Sequence, residues 1–282
     1  MVSAYGYALG YLGGGLLFAL NVFMTLKPQT FGLSNAGEAV QVSFVMVAVW
    51  WAVFSIPLLL FVKEPRATSV SSVWAVISGG YKQLLVTVHE VRALKFVLMF
   101  LAAYWCYIDG VDTVVRMAVD YGMSLGFKPN DLIVALLITQ FVGFPAAIMF
   151  GKLGERFGAK SAIFVGIGVY VVITVSASMI DEVREFYLLA VMIGLVQGGV
   201  QSLSRSFYTR LIPAGKSAEF FGFYNMLGKF SAILGPLIVG WVSVITGNPR
   251  FSILAIAVLF VAGAVILYFV DEKRGREMAM EL

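Results

Sequence analysis

Gly151-Lys152-Leu153-Gly154-Glu155-Arg156-Phe157-Gly158-Ala159-Lys160 is a charged, glycine-spaced stretch between two long apolar runs. Its reading decides the fold. Glycines at this spacing let two helix ends approach closely, and the basic groups hold them on one side of a bilayer. The stretch is therefore expected to be a tight cytoplasmic turn between membrane helices.

Composition agrees with that setting. The chain of 282 residues is 60% hydrophobic and 13% charged, whereas an average soluble domain is about 25% charged. A soluble fold of this length could not bury so much apolar surface. The formal charge is +4, but the Lys and Arg residues sit between apolar runs, not among polar recognition segments. They read as orientation signals and give no footing for nucleic acid. Cys106 is the single cysteine and lies in an apolar run, where it packs; no disulfide framework or Cys/His metal set is available. The lone histidine, His89, falls in a polar connecting segment and reads as solvated.

Stretches of about 20 apolar residues place helices near residues 4–26, 38–62, 93–119, 129–150, 161–180, 186–208, 218–244 and 250–270. The fold class is all-α, a polytopic membrane protein. Met1 is followed by Val-Ser-Ala-Tyr without a charged n-region or small-residue cleavage site, so the first span reads as a retained helix. Lys63, Arg66, Lys82, Arg92, Lys152, Arg156, Lys160, Arg205, Arg210, Lys216, Lys273, Arg274 and Arg276 fall on one side. The other side holds Lys27, Lys128, Arg184 and Arg250. This bias puts both termini in the cytoplasm. The connection from Lys63 to Arg92 is longer than the rest. It carries Pro65, Ser69, Ser71, Ser72 and Gly79-Gly80, and its stretch 73–88 is amphipathic enough to lie along the membrane surface. It separates two spans (1–62) from six (93–282).

Ionisable residues inside the spans are costly, about 2.5–3.5 kcal/mol each at mid-bilayer on insertion scales. In the third span, Asp109, Asp112 and Arg116 share one helical face, so Asp112 and Arg116 are placed to pair. Counted from Lys95, Asp109 lies about 20 Å into the membrane. The seventh span carries Asn225 and Lys229 at i and i+4, with Lys229 too deep to reach water easily. In the sixth span Gln197, Gln201 and Arg205 repeat every four residues and stack along one face. Arg205, near the cytoplasmic end, reads as a gate or interface charge. Asp109, Asp112, Arg116, Gln197, Gln201, Asn225 and Lys229 are the candidate cavity residues for a small polar solute. The other reading is a structural cluster of ion pairs and interhelical hydrogen bonds that fixes helix register. Gly6, Gly10 and Gly13 to Gly15 in the first span, and Gly228, Gly235-Pro236 and Gly240 in the seventh, allow close, sliding contact. The Gly235-Pro236 step is expected to kink its helix.

The ten-residue stretch resembles the cytoplasmic loop signature of major facilitator transporters, roughly G-x-L-a-D-r-x-G-r-k, with Glu155 where Asp is usual. A narrower resemblance, to the vacuolar amino-acid effluxers of yeast autophagy and their prokaryotic relatives, rests on four segments. These are Tyr7-Ala8-Leu9-Gly10-Tyr11-Leu12-Gly13-Gly14-Gly15, Asp109-Gly110-Val111-Asp112-Thr113, Gly198-Gly199-Val200-Gln201-Ser202-Leu203-Ser204-Arg205-Ser206 with Pro213, and Glu219-Phe220-Phe221-Gly222-Phe223-Tyr224-Asn225. The resemblance implies a fold of two six-helix halves, alternating access, and amino-acid export, often with proton coupling. By these motifs, the first two spans match the end of the family's N-terminal half. The following six match its whole C-terminal half, and 63–92 matches the loop between halves. Four helices of the family pattern have no counterpart. The chain is then a fragment of a longer gene, a subunit that works with a second polypeptide supplying those helices, or a non-transporting remnant or scaffold.

In this reading Asp109 exchanges a proton or meets a substrate ammonium, Lys229 answers a carboxylate, and Gln197, Gln201 and Asn225 orient the solute. Gly151, Gly154, Glu155, Arg156, Gly158 and Lys160 form the gating loop. An enzyme is disfavoured, since no His/Glu metal pair, nucleophile elbow or phosphate loop appears and Gly166-Ile167-Gly168 lacks the third glycine of a dinucleotide fingerprint. No cofactor is expected. The short loops favour a prokaryotic plasma membrane over a vacuolar one. Replacing Arg156 with Gln is expected to shift the balance between inward- and outward-open states without abolishing solute binding. Accessibility labelling of the two states, alongside a binding assay, measures this; an unshifted balance would remove the gating role.

Overall fold

The computed structural model describes residues 1–62, 73–230 and 232–281. Among them are eight spans long and apolar enough to cross a membrane, and the chain is an all-α, multi-pass integral membrane protein. The first is α1 (Val2–Leu26), which ends at Lys27-Pro28, where proline's missing amide stops the ladder. A 3₁₀ turn (Pro28–Phe31) and Gly32, at φ 73°, lead to Asn35. The Asn35 side chain accepts from the Glu38 amide at 3.0 Å, and Glu38 accepts from the Ser34 amide at 2.7 Å. These two bonds satisfy orphan donors at the start of α2 (Ala36–Phe61).

The chain divides into two compact units, one of residues 13–83 and one of residues 1–12 with 84–282. In the smaller, Gly13 of α1 faces Trp50 of α2. Residues 63–72, with the expected Lys63, Arg66, Pro65, Ser69, Ser71 and Ser72, lie outside the described residues. The amphipathic stretch forms a helix, α3 (Val73–Ala93), followed after Leu94 by α4 (Lys95–Ser124). Near its end Glu90 pairs with Lys216 at 2.6 Å, and Val91 and Leu94 are buried.

The larger unit continues with α5 (Pro129–Phe157), α6 (Ala159–Ala177) and α7 (Val183–Leu211). The expected turn at 151–160 is narrower than the sequence implies. Helix α5 runs seven residues past position 150, and the chain reverses on Gly158 alone, at φ 88°, a conformation other residues rarely adopt. Gly151 and Gly154 are therefore helical, and their missing side chains make room for neighbours. A Cβ on Gly151 would stand 2.6 Å from that of Ala4, and one on Gly154 would overlap Leu203. The same device joins α5 to α7, where Gly199 faces Phe150 and Gly198 faces Tyr11 and Ala147. Lipid tails give helices no hydrophobic reason to associate, so close van der Waals fit carries this packing.

The seventh span is two helices, α8 (Ser217–Phe230) and α9 (Leu234–Thr246). The kink expected at Gly235-Pro236 is instead a break upstream of it. A proline ring collides with the carbonyl four residues earlier, here Ala232, and Ala232 and Ile233 form the turn. Pro236 falls in the first turn of α9, where the absent amide costs nothing. The eighth span, α10 (Pro249–Ala255) with α11 (Ala257–Tyr268), is offset at Ile256, and α12 (Glu272–Met280) starts on the Asp271 cap. Helix α11 lies against α4, with Gly110 facing the Phe260 ring and Gly263 facing Tyr107.

Enlarging Gly199 to Leu is expected to destabilise the protein by about 1–3 kcal/mol through overpacking against Phe150. Gly168, with no atom within 4 Å of a Cβ, should accept Ala at little cost. Thermal unfolding in nanodiscs compares the two; equal midpoints would show that the close approach is not restrictive.

Candidate functional site

Helices α1, α5, α7 and α8 surround a cavity of about 1020 Å³ within the larger unit. On α1, Tyr7 and Tyr11 stand at i and i+4 and so face the same way. On α7 the stripe is Gln201, Arg205 and Thr209, again every four residues, with Ser206 and Arg210 beside it; α5 adds Gln140 and α8 adds Phe221. The Arg205 guanidinium lies over the Phe221 ring at 5.1 Å. The charges of Arg205 and of Asp112 both act on Tyr7. Arg210 is engaged elsewhere, with Glu272 at 3.0 Å.

Of the seven residues expected to share a cavity, Gln201 lines this one. Asp109 has another position. It is fully buried, and its carboxylate oxygens accept from the Gly235 amide at 3.0 and 3.1 Å, while the Thr113 hydroxyl donates to one of them at 3.3 Å. Gly235 is in the first turn of α9, so Asp109 of α4 supplies the acceptor that the broken span lacks. The partial positive charge of a helix N-terminus favours a carboxylate there. A side chain on Gly235 would overlap Thr113, which is why the amide can come this close.

The expected Asp112–Arg116 pair does not form within 4 Å among the described residues. Arg116 and Lys229 act on Asp112 across a wider gap, and both cations are exposed in this chain. Asn225 is exposed too. The Gln197 carbonyl and the Tyr170 hydroxyl are buried with no hydrogen-bond partner among the described residues. Of the turn residues, Lys160 donates to the carbonyls of Tyr268 and Val270 at 2.9 and 2.7 Å, tying α6 to the end of α11. Glu155 accepts from the Met1 amino group at 3.2 Å, and Arg156 is exposed above the Phe157 ring.

Sequence reasoning passed over Tyr7, Tyr11, Gln140, Ser206 and Thr209. Two signals were available: the four-residue spacing of the tyrosines, and the continuation of the Gln197, Gln201, Arg205 series to Thr209. Among the described residues, no cluster of three or more His, Cys, Asp or Glu side chains could hold a metal ion.

Apolar helices long enough to cross a membrane border a large cavity with polar groups in its wall, and the chain is an integral membrane protein. Residues 1–280 match the family described as "Vacuole effluxer Atg22 like". The chain belongs to that family. It is similar to a Bacillus subtilis protein described as an uncharacterized MFS-type transporter, YxiO, at 36% identity over 100% of this chain and 65% of the relative. It is also similar to autophagy-related protein 22 of Yarrowia lipolytica, at 28% identity over 99% of this chain and 51% of the relative. With autophagy-related protein 22-1 of Penicillium rubens it shares 28% identity over 100% and 50%. The chain thus spans between half and two thirds of the length of these curated relatives.

The Asp109 cap can be tested directly. Asp109→Leu leaves the Gly235 amide without an acceptor and is expected to cost about 1–3 kcal/mol. Asp109→Asn keeps an acceptor and should cost less. Thermal unfolding and amide exchange in the first turn of α9 read both effects; a Leu variant as stable and as protected as wild type would rule out the cap.

Proposed function

We propose that this chain works in a facilitator-type secondary transporter that exports amino acids or similar small polar solutes by alternating access, with proton coupling. The observation that carries the reading is the cavity of about 1020 Å³ edged by Tyr7, Tyr11, Gln140, Gln201 and Arg205, in a chain of this family. Polar side chains are expensive in a membrane and are kept where they line a water-filled path or a binding site. The names of the relatives, an MFS-type transporter and vacuole effluxers, support the same reading.

In this proposal the solute contacts Tyr7, Tyr11, Gln140 and Gln201. Asn225 and Lys229, exposed on α8, and Arg116 near Asp112 face helices supplied by a longer form of the chain or by a second polypeptide. Residues 1–62 would be the last two helices of an N-terminal half, and the chain from 93 onward the C-terminal half. Asp109 carries the proton, and its neutralisation weakens the charge-assisted hold on the start of α9. The positive-side bias places both termini in the cytoplasm, and the short loops favour a prokaryotic plasma membrane. A second reading is a subunit or remnant without transport of its own.

The test is to purify the protein from its native membrane, in whatever length and company it is found, and measure labelled amino-acid flux in proteoliposomes under a pH gradient. Solute-dependent flux that loses its pH dependence in Asp109→Asn is expected. No flux of any solute, from protein whose intact mass shows a lone chain of 282 residues, would favour the second reading.

A further inference from the structure

Arg205 is unlike the other arginine of the cavity wall. Arg210, five residues on, has Glu272 as its counter-ion. Arg205 makes no ion pair within 4 Å among the described residues, and its recorded neighbour is the face of Phe221. Six residues before the end of α7, it lies about 9 Å into the helix, with Gln201 one turn before it and Thr209 one turn after, both on the same wall. Among the described residues, no Asp or Glu lines the cavity.

The Arg205 guanidinium is exposed on the cavity wall, where a solute can reach it. Its planar fork matches a carboxylate through two parallel hydrogen bonds, and stacking on an aromatic ring fixes the plane of that fork. The Thr209 hydroxyl donates to the Arg205 carbonyl at 2.9 Å, which leaves its lone pairs free to accept. The Gln201 amide group can donate to an oxygen beside the fork.

We propose that Arg205 is the carboxylate-recognition residue of this cavity, and that the cavity takes small solutes bearing a carboxylate while rejecting those whose only charge is positive. This rests on the transporter reading above and narrows it. The missing counter-ion of Arg205 is the solute. Phe221 holds the guanidinium plane, and Gln201 and Thr209 extend the polar stripe on either side.

The test measures equilibrium binding of alanine and leucine, and of alaninamide and leucinamide, to the protein purified from its own membrane into nanodiscs. Inorganic phosphate serves as a competitor. A charged hydrogen-bonded contact of this kind corresponds to roughly a tenfold or larger preference for the acids over the amides. Arg205→Gln is expected to remove the preference and Arg205→Lys to keep part of it, both with an unfolding midpoint near wild type. Equal binding of acids and amides by wild type, a preference intact in Arg205→Gln, or displacement of alanine by phosphate would each overturn the proposal. If Arg205→Gln does not fold, the wild-type preference and the Lys variant decide. Saturable binding of amides alone sinks the carboxylate assignment and leaves a transporter standing. The absence of saturable binding by any solute removes the transporter reading and this inference with it.

Discussion

The bilayer offers no water to a broken helix, and the bond from the Gly235 amide to Asp109 is how this chain meets that constraint. A proline inside the segment from Ser217 to Thr246 cannot be accommodated in an unbroken ladder. The span therefore opens just upstream and restarts, and the new N-terminus is satisfied from α4. Thr113 braces the carboxylate, and glycine at 235 gives it access. The position of α9 against α4 depends on that contact.

The rest of the larger unit follows from close approach. Glycines on α5, α6 and α7 each receive one large neighbour: Leu203 against Gly154, Val200 against Gly166, and Phe150 against Gly199. Dispersion forces over short distances supply what the hydrophobic effect supplies in water. Within this framework Tyr107 and Ser204 share a hydrogen bond at 2.6 Å between α4 and α7, so that buried pair does not loosen the packing. The cavity remains where α1 presents Tyr7 and Tyr11 and α7 presents Gln201, Arg205 and Thr209, with Gln140 of α5 and Phe221 of α8 at its edge.

The spans were legible because about 20 apolar residues in a row have few settings, and the family was legible in contiguous motifs. The partners were not. Asp109 meets an amide 126 positions away, and nothing in the local sequence distinguishes a cap from a solute-binding carboxylate. Arg205 and Arg210 read alike as charges near a helix end; Glu272, 62 positions on, takes only the second. Tyr7 and Tyr11 stand among the glycines of a family motif, and their direction emerged only with α5 and α7 in place. Local patterns specify elements, while the pairing of charges depends on which elements the fold brings together.

Gly158 has a mechanical consequence. With one residue between α5 and α6, the connection has no slack to absorb relative motion. Lys160, bonded to the carbonyls of Tyr268 and Val270, anchors the start of α6 to the end of α11. A tilt of α5 must then be passed on at its foot as a rotation about one joint, with α6 and α11 as the fixed post. The pair behaves as a hinged lever, and its pivot is one backbone position whose positive φ would strain any side chain.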